Sequence, residues 1–202
     1  MYDLFLKGGI LMYPIAFCSI VALGVFLERL WSLRKRKVIP QEFLMEIVDM
    51  VAQGKIREAI TYCKRSDASI AHIAYAGIEN YGKKRELIKE RMEEVGKREV
   101  ANLERYINVI GTIAGVAPLL GLLGTVSGMI KSFNVISLQG VADPGSLAGG
   151  ISEALITTAA GLVVAIPAFV MYRYLRNKVD SLVVEMEEIS VRMVELLKGE
   201  ER

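Results

Sequence analysis

Two stretches decide the fold: YINVIGTIAGVAPLLGLLGTVSGMI at positions 106–130 and ALITTAAGLVVAIPAFVMY at positions 154–172. Neither contains a charged residue, and a third uncharged run, GGILMYPIAFCSIVALGVFL, occupies positions 8–27. These runs of 25, 19 and 20 residues each meet the roughly 20 residues that a helix rising 1.5 Å per residue needs to cross about 30 Å of hydrocarbon. A soluble domain of 202 residues has little use for three such helices. The first run exceeds the apolar core of a secretory leader, ends in Glu28-Arg29 and shows no convincing small-residue cleavage site, so it reads as a retained helix. Overall, 52% of residues are hydrophobic and 24% are charged, a balance that places apolar residues in some segments and charge in others.

Charge placement sets an expected topology. Seventeen of the 25 basic residues lie between Arg29 and Arg105, and six more follow from Arg173 onward. By the positive-inside rule, the middle segment and the C-terminal tail face the cytoplasm. The cluster Arg34-Lys35-Arg36-Lys37, directly after the first span, weighs most. The expected division is an outer N-terminus at 1–7, a first span at 8–30, a cytoplasmic helical domain at 31–105 and a second span at 106–130. A periplasmic loop at 131–143, a third span at 144–172 and a cytoplasmic tail at 173–202 follow. A net charge of +2 is too small to suggest nucleic acid. Cys18 and Cys63 sit in unlike segments and read as free thiols.

The middle segment reads as helix over 40–53, 55–65 and 69–80. No proline interrupts 83–117, so a charged helix is expected to run straight into the second span. In the tail, Leu182, Val183, Met186, Ile189, Met193, Val194 and Leu197 recur at three- and four-residue steps, a stripe for packing against neighbouring helices. The expected fold is an all-α membrane protein with three transmembrane helices. Two of them extend far into the cytoplasm, and a helical cytoplasmic domain separates the first and second spans.

Within lipid, apolar burial cannot drive helices together, whereas close backbone approach through small residues can. Gly111/Gly115, Gly124/Gly128, Gly150/Ala154 and Gly161/Ala165 stand at four-residue steps, and Gly121 lies in the same span. At 100° per residue, positions 150, 154, 157, 161 and 165 fall within about 80° of one another, giving one narrow packing seam. The first span is bulky by comparison.

Glu153 is the acid that falls inside or at the edge of a span. Asp143-Pro144 has the form of an N-cap and N1 proline, which starts the third helix there. A carboxylate in hydrocarbon costs about 2.5–3.5 kcal/mol on insertion scales and commonly faces a bundle interior or a water-filled path; a position at the headgroups is the alternative. Thr125 and Thr158 lie about 10 and 8 Å outward of their helix midpoints, at nearly one depth. They provide either a ring of hydroxyls or two ordinary bonds to carbonyls one turn back. Glu153 and Thr158 point about 140° apart on the helix, whereas Thr157 lies within 40° of Glu153.

Gly121-Leu-Leu-Gly-Thr-Val-Ser-Gly128, together with Gly150-Ile-Ser-Glu-Ala-Leu-Ile-Thr-Thr-Ala-Ala-Gly-Leu-Val-Val-Ala-Ile-Pro167, resembles the signature of the MotA/TolQ/ExbB proton-channel family. The three-span layout is similar to its ExbB/TolQ branch, and the four-span flagellar branch fits less well. The resemblance implies a homopentamer in the bacterial inner membrane, with N-terminus periplasmic and C-terminus cytoplasmic. Its pore would hold two copies of the single helix of an ExbD- or TolR-like partner whose membrane aspartate carries the proton. A TonB- or TolA-like transducer would pass the work outward, to outer-membrane transport or envelope maintenance. The family's polar pore positions fall on Thr125, Glu153 and Thr158, with Thr157 beside them.

Other chemistry is weak. His72, the single histidine, has no ligand partners in sequence, so no metal site or cofactor is expected. No Walker loop, dinucleotide fingerprint or nucleophile elbow is present. An intramembrane enzyme would need a nucleophile–base pair that the spans lack. A self-contained ion channel or a passive scaffold would share the small-residue seam without needing a partner. Trp31 fits an interfacial anchor against membrane lipid.

Overall fold

The computed structural model describes residues 8–139 and 144–198. Among them it contains only helices: α1 (Met12–Ser32), α2 (Lys35–Val38), α3 (Gln41–Ala52), α4 (Ile56–Lys64), α5 (Ser69–Ile78), α6 (Arg85–Glu104), α7 (Ile107–Gln139) and α8 (Pro144–Lys198). α1, α7 and α8 each contain a segment long and apolar enough to cross a membrane. The protein is an all-α, multi-pass membrane protein. By its internal contacts the chain divides into two compact units, one from residues 1–28 and 106–175 and one from 29–105 and 176–202.

The membrane unit is assembled from α1, α7 and the first part of α8. Along α8, Ala154, Thr157, Gly161, Ala165 and Ala168 are buried, a three- and four-residue rhythm that keeps one side of the helix against its neighbours. The opposite side, with Leu155, Leu162, Val163, Ile166 and Val170, is exposed. α7 repeats the division, with Ile110, Ile113 and Ala117 inside and Leu119, Leu122, Leu123 and Val126 outside. Of its apolar residues α1 buries only Ile15 and Ala22, and it exposes Phe17, Ile20, Leu23 and Leu27. Pro118 and Pro167 sit inside helices without ending them, as membrane spans tolerate.

The second unit has its centre on α5, which is apolar on nearly every side and buried at Ile70, Ala71, Ile73, Ala74, Ala76 and Ile78. A helix apolar all round must be covered on all sides. A Cβ on Gly77 would lie 2.6 Å from Met92 Sδ of α6 and 3.0 Å from Leu197 Cδ1 of α8, so both helices close over it. Phe43 of α3 stacks on Tyr62 of α4 with ring centroids 5.3 Å apart. Of the tail stripe, Leu182, Met186, Met193, Val194 and Leu197 are buried and Val183 and Ile189 half-buried, and Val179 ahead of it is buried as well. On the surface, Arg98 and Arg91 pair with Glu94 along α6, and Lys35 pairs with Glu185 at 2.5 Å. Lys37 Nζ stands 3.0 Å over the exposed Trp31 ring, a cation–π contact.

Three boundaries differ from the sequence expectation. The charged helix does not run into the second span: α6 ends at Glu104, and Tyr106 takes φ 65° before α7 begins. A left-handed tyrosine costs about 1–2 kcal/mol, and no glycine or proline marks the break. α7 continues to Gln139, so most of the expected 131–143 loop is helical; Lys131 ends the uncharged run, but a lysine does not end a helix. α1 starts at Met12 rather than Gly8, because Gly9 adopts φ 71° and forms a turn in which Gly9 O accepts the Met12 N–H. Pro144 is the first residue of α8, while Asp143, its expected cap, lies outside the described residues.

Cys18 and Cys63 are free. Burial pushes the Cys63 thiol up from 9.0 to about 12, because the core disfavours the thiolate. The native state therefore holds this thiol neutral. Its contribution to stability is complete below the unfolded value of 9.0 and is lost as pH rises through that value towards 12. In a Cys18→Ser background, a maleimide at mildly alkaline pH is expected to label Cys63 only after denaturation, read by mass spectrometry; rapid labelling of native protein would contradict the burial.

Candidate functional site

The site is built on the crossing of α7 and α8, where glycines remove the side chains that would hold two helices apart. A Cβ on Gly121 would lie 3.0 Å from Thr158 Cα, and one on Gly161 would lie 2.6 Å from Ala117 O. A Cβ on Gly124 would lie 2.5 Å from Thr157 Cγ2, and one on Gly128 would lie 2.7 Å from Gly150 O and 2.9 Å from Ala154 Cβ. A Cβ on Gly150 would collide with Ser132 Oγ. With Ala154 and Ala165 buried on the same side, the two backbones approach over several turns, which is how membrane helices associate without a hydrophobic driving force. Gly111 is placed differently: a Cβ there would lie 3.0 Å from the ring of Tyr172. Gly115 meets nothing within 4 Å and opens into a groove lined by Asn108, Thr112, Phe169 and Tyr172. The four-residue spacing of Gly111 and Gly115 therefore does not bring Gly115 against another helix of this chain.

The polar residues fall into two groups. Thr158 Oγ1 donates to Gly121 O across the crossing, at 2.9 Å. Thr125, one turn further along α7, donates to Leu122 O of its own helix at 2.6 Å. Both are partly exposed. The second group gathers around Glu153. Thr157 is 1% exposed, and its Oγ1 donates to Gly8 O at 2.7 Å and to Glu153 O at 2.8 Å. Gly9 lies so close to the Glu153 carboxylate that a Cβ there would collide with Oε1. Lys131 Nζ of α7 donates to Glu153 Oε1 at 2.5 Å. Glu153 and Thr157 are thus neighbours, and Thr158 faces another way, as the 140° helical separation requires.

Sequence reasoning missed Lys131 and the Gly8–Gly9 turn. Lys131 was assigned to a loop, yet it and Glu153 stand eleven residues to either side of position 142, within the connection between α7 and α8. Two antiparallel helices bring such equidistant positions together, and opposite charges there are a readable signal. Nothing local in the sequence foretells the long-range bond from Thr157 to Gly8.

His72, outside the membrane unit, pairs with Glu99 at 2.9 Å. Among the described residues no group of histidine, cysteine, aspartate or glutamate side chains could hold a metal.

Residues 65–188 match the model of the MotA/TolQ/ExbB proton channel family. The chain belongs to this family. The matched segment contains the whole α7–α8 crossing and both polar groups. Among relatives, the chain is 35% identical over 178 residues to a putative biopolymer transport protein ExbB-like 1 from Synechocystis, a match covering 86% of this chain and 69% of the relative. It is 31% identical to a putative ExbB homologue from Methanothermobacter thermautotrophicus, over 93% of this chain and 67% of the relative. Tol-Pal system protein TolQ of Haemophilus influenzae is 41% identical over 42% of this chain and 37% of its own length. ExbB and TolQ names together place the chain in that branch. Its role is to energise a process with the proton-motive force, as a channel subunit and not as an enzyme.

Proposed function

We propose that this chain is the pore and stator subunit of a proton-motive-force-driven motor complex of the bacterial inner membrane. Several copies, five by family resemblance, enclose two copies of the single helix of an ExbD- or TolR-like partner. The N-terminus lies outside and the Arg34–Lys37 cluster inside. Protons pass along Thr125, Glu153, Thr157 and Thr158 to the partner's membrane aspartate, and the resulting motion reaches a TonB- or TolA-like transducer for outer-membrane transport or envelope maintenance.

One observation carries this reading: an ionisable side chain, Glu153, is held beside a glycine-lined helix crossing in an apolar helix long enough to span a membrane, with the Thr157 hydroxyl on its own side and that of Thr158 turned toward α7. Such a group is expensive in a bilayer and belongs where water or a proton passes. The chain has no further intramembrane acid or histidine to complete a relay, which fits a division of labour with a partner carrying its own acid. Each proton brings about 2.3 kcal/mol per 100 mV, enough to bias an assembly between two arrangements.

Native mass spectrometry of the detergent-extracted complex tests the assembly, and proton flux into liposomes tests the conduction. The expected result is a homo-oligomer with a bound single-span protein and a potential-driven proton current. A monomer without a partner, or a complex that passes no protons, rejects the assignment.

A further inference from the structure

The Glu153 carboxylate is approached from two directions, and the backbone beside it is tied down by a third group. α7 supplies Lys131, whose Nζ lies 2.5 Å from Oε1. The turn before α1 supplies Gly9, whose positive φ of 71° and missing Cβ let the backbone sit against the carboxylate. Its own helix supplies Thr157, whose single hydroxyl proton is shared between Gly8 O and Glu153 O. Among the described residues facing this carboxylate, Lys131 carries the only charge. The Lys131 side chain is 55% exposed and that of Glu153 24%, so the pair stands at an accessible edge of the cluster.

We infer that Lys131 is a tethered cation that fills the cation site of Glu153 and so makes the site selective for protons over alkali metal ions. The inference rests on the function proposed above, since it concerns which ion may use the pathway. A lysine ammonium is a compact point charge on a flexible stem and occupies the place a sodium ion would take. The paired carboxylate offers an incoming metal ion no net charge. A proton needs no ligand shell: it bonds to one carboxylate oxygen, the ammonium is released, and the site passes from neutral to singly positive. Loss of the proton restores the pair. Replacing Lys131 by a neutral residue leaves a bare carboxylate beside open space, which is a site for Na+.

The test is thermal unfolding of the detergent-extracted complex in NaCl against choline chloride at equal ionic strength, with wild type, K131Q, K131R and the double variant K131Q/E153Q. A ligand that binds only the folded protein raises its Tm. K131Q is expected to gain about 2–4 °C in NaCl, the shift that about fivefold tighter holding of the native state gives in a chain of this size. Wild type, K131R and the double variant are expected to shift by less than about 1 °C on the same scale. K131M is measured alongside, because it keeps the aliphatic stem should glutamine disturb the fold. Equal NaCl shifts in wild type and K131Q, or none in either K131Q or K131M, overturn the inference. Proton flux through the wild-type complex is read separately: its absence rejects the proposed function, while the sodium shift alone decides the role of Lys131.

Discussion

Glu153→Gln is expected to reduce proton-driven work to the level of empty liposomes while the complex still assembles. Glutamine keeps the size and the hydrogen-bonding reach of glutamate, so the backbone contacts of Gly9 and the bonds of Thr157 to Gly8 O and Glu153 O remain possible. What disappears is the exchangeable proton and the negative charge opposite Lys131. The amide oxygen of glutamine can still accept from the Lys131 ammonium, so the lysine keeps a hydrogen-bond partner and the helix crossing is expected to hold. Thr158→Ala acts by another route. It removes the 2.9 Å bond from α8 to Gly121 O, worth about 1 kcal/mol, and a hydroxyl from the proposed path, so loss of flux is expected with the oligomer retained. Flux and oligomer size, measured on the same preparations, separate loss of chemistry from loss of structure. Wild-type flux in both variants would remove Glu153 and Thr158 from the pathway.

The three spans were legible because the bilayer imposes a length and a composition that no soluble segment of this chain matches. The α7–α8 seam was legible for a related reason: lipid leaves small residues as the means of close association, and their four-residue spacing is visible in sequence. The tail stripe from Leu182 to Leu197 was equally plain, because a helix that packs along one side repeats its apolar residues at that period. Features set by tertiary structure were not legible. The break at Tyr106 has no glycine or proline to announce it, and its left-handed conformation appears only in three dimensions. The partner of Gly115 could not be read from spacing: Gly111 and Gly115 have the same step as Gly124 and Gly128, yet Gly115 opens onto a groove. The setting of Glu153 was half legible. Its proximity to Thr157 follows from helix geometry, but the Gly8–Gly9 turn arrives from a segment about 145 residues away. Lys131 lay within reach of an argument from antiparallel pairing, had the helix been carried beyond the uncharged run.

Gly161→Leu is expected to eliminate the folded protein, and Gly161→Ala to destabilise it severely. At Gly161 a Cβ would lie 2.6 Å from Ala117 O, 3.2 Å from Gly121 Cα and 3.3 Å from Gly121 N. All three are backbone atoms, so no rotamer change can relieve the clash and α7 must move away. Moving it also separates Gly128 from Gly150 and Ala154, and Gly121 from Thr158, because one rigid helix carries all these contacts. Overpacking in a tight core costs about 1–3 kcal/mol for a few added atoms, and leucine adds more than can fit. Helix propensity acts in the opposite direction, since alanine is about 1 kcal/mol better than glycine inside a helix, so any loss of stability at this position measures the clash. Gly115→Ala isolates that term: the same chemical change is made where nothing lies within 4 Å, and the helix gains propensity without a collision. Thermal stability and the yield of monodisperse extracted protein should therefore fall for Gly161→Ala and hold or rise for Gly115→Ala. Equal losses at the two positions would mean that α7 and α8 do not meet through the side of α8 bearing Thr157, Gly161 and Ala165, and the placement of Thr158 against Gly121 would fail with it.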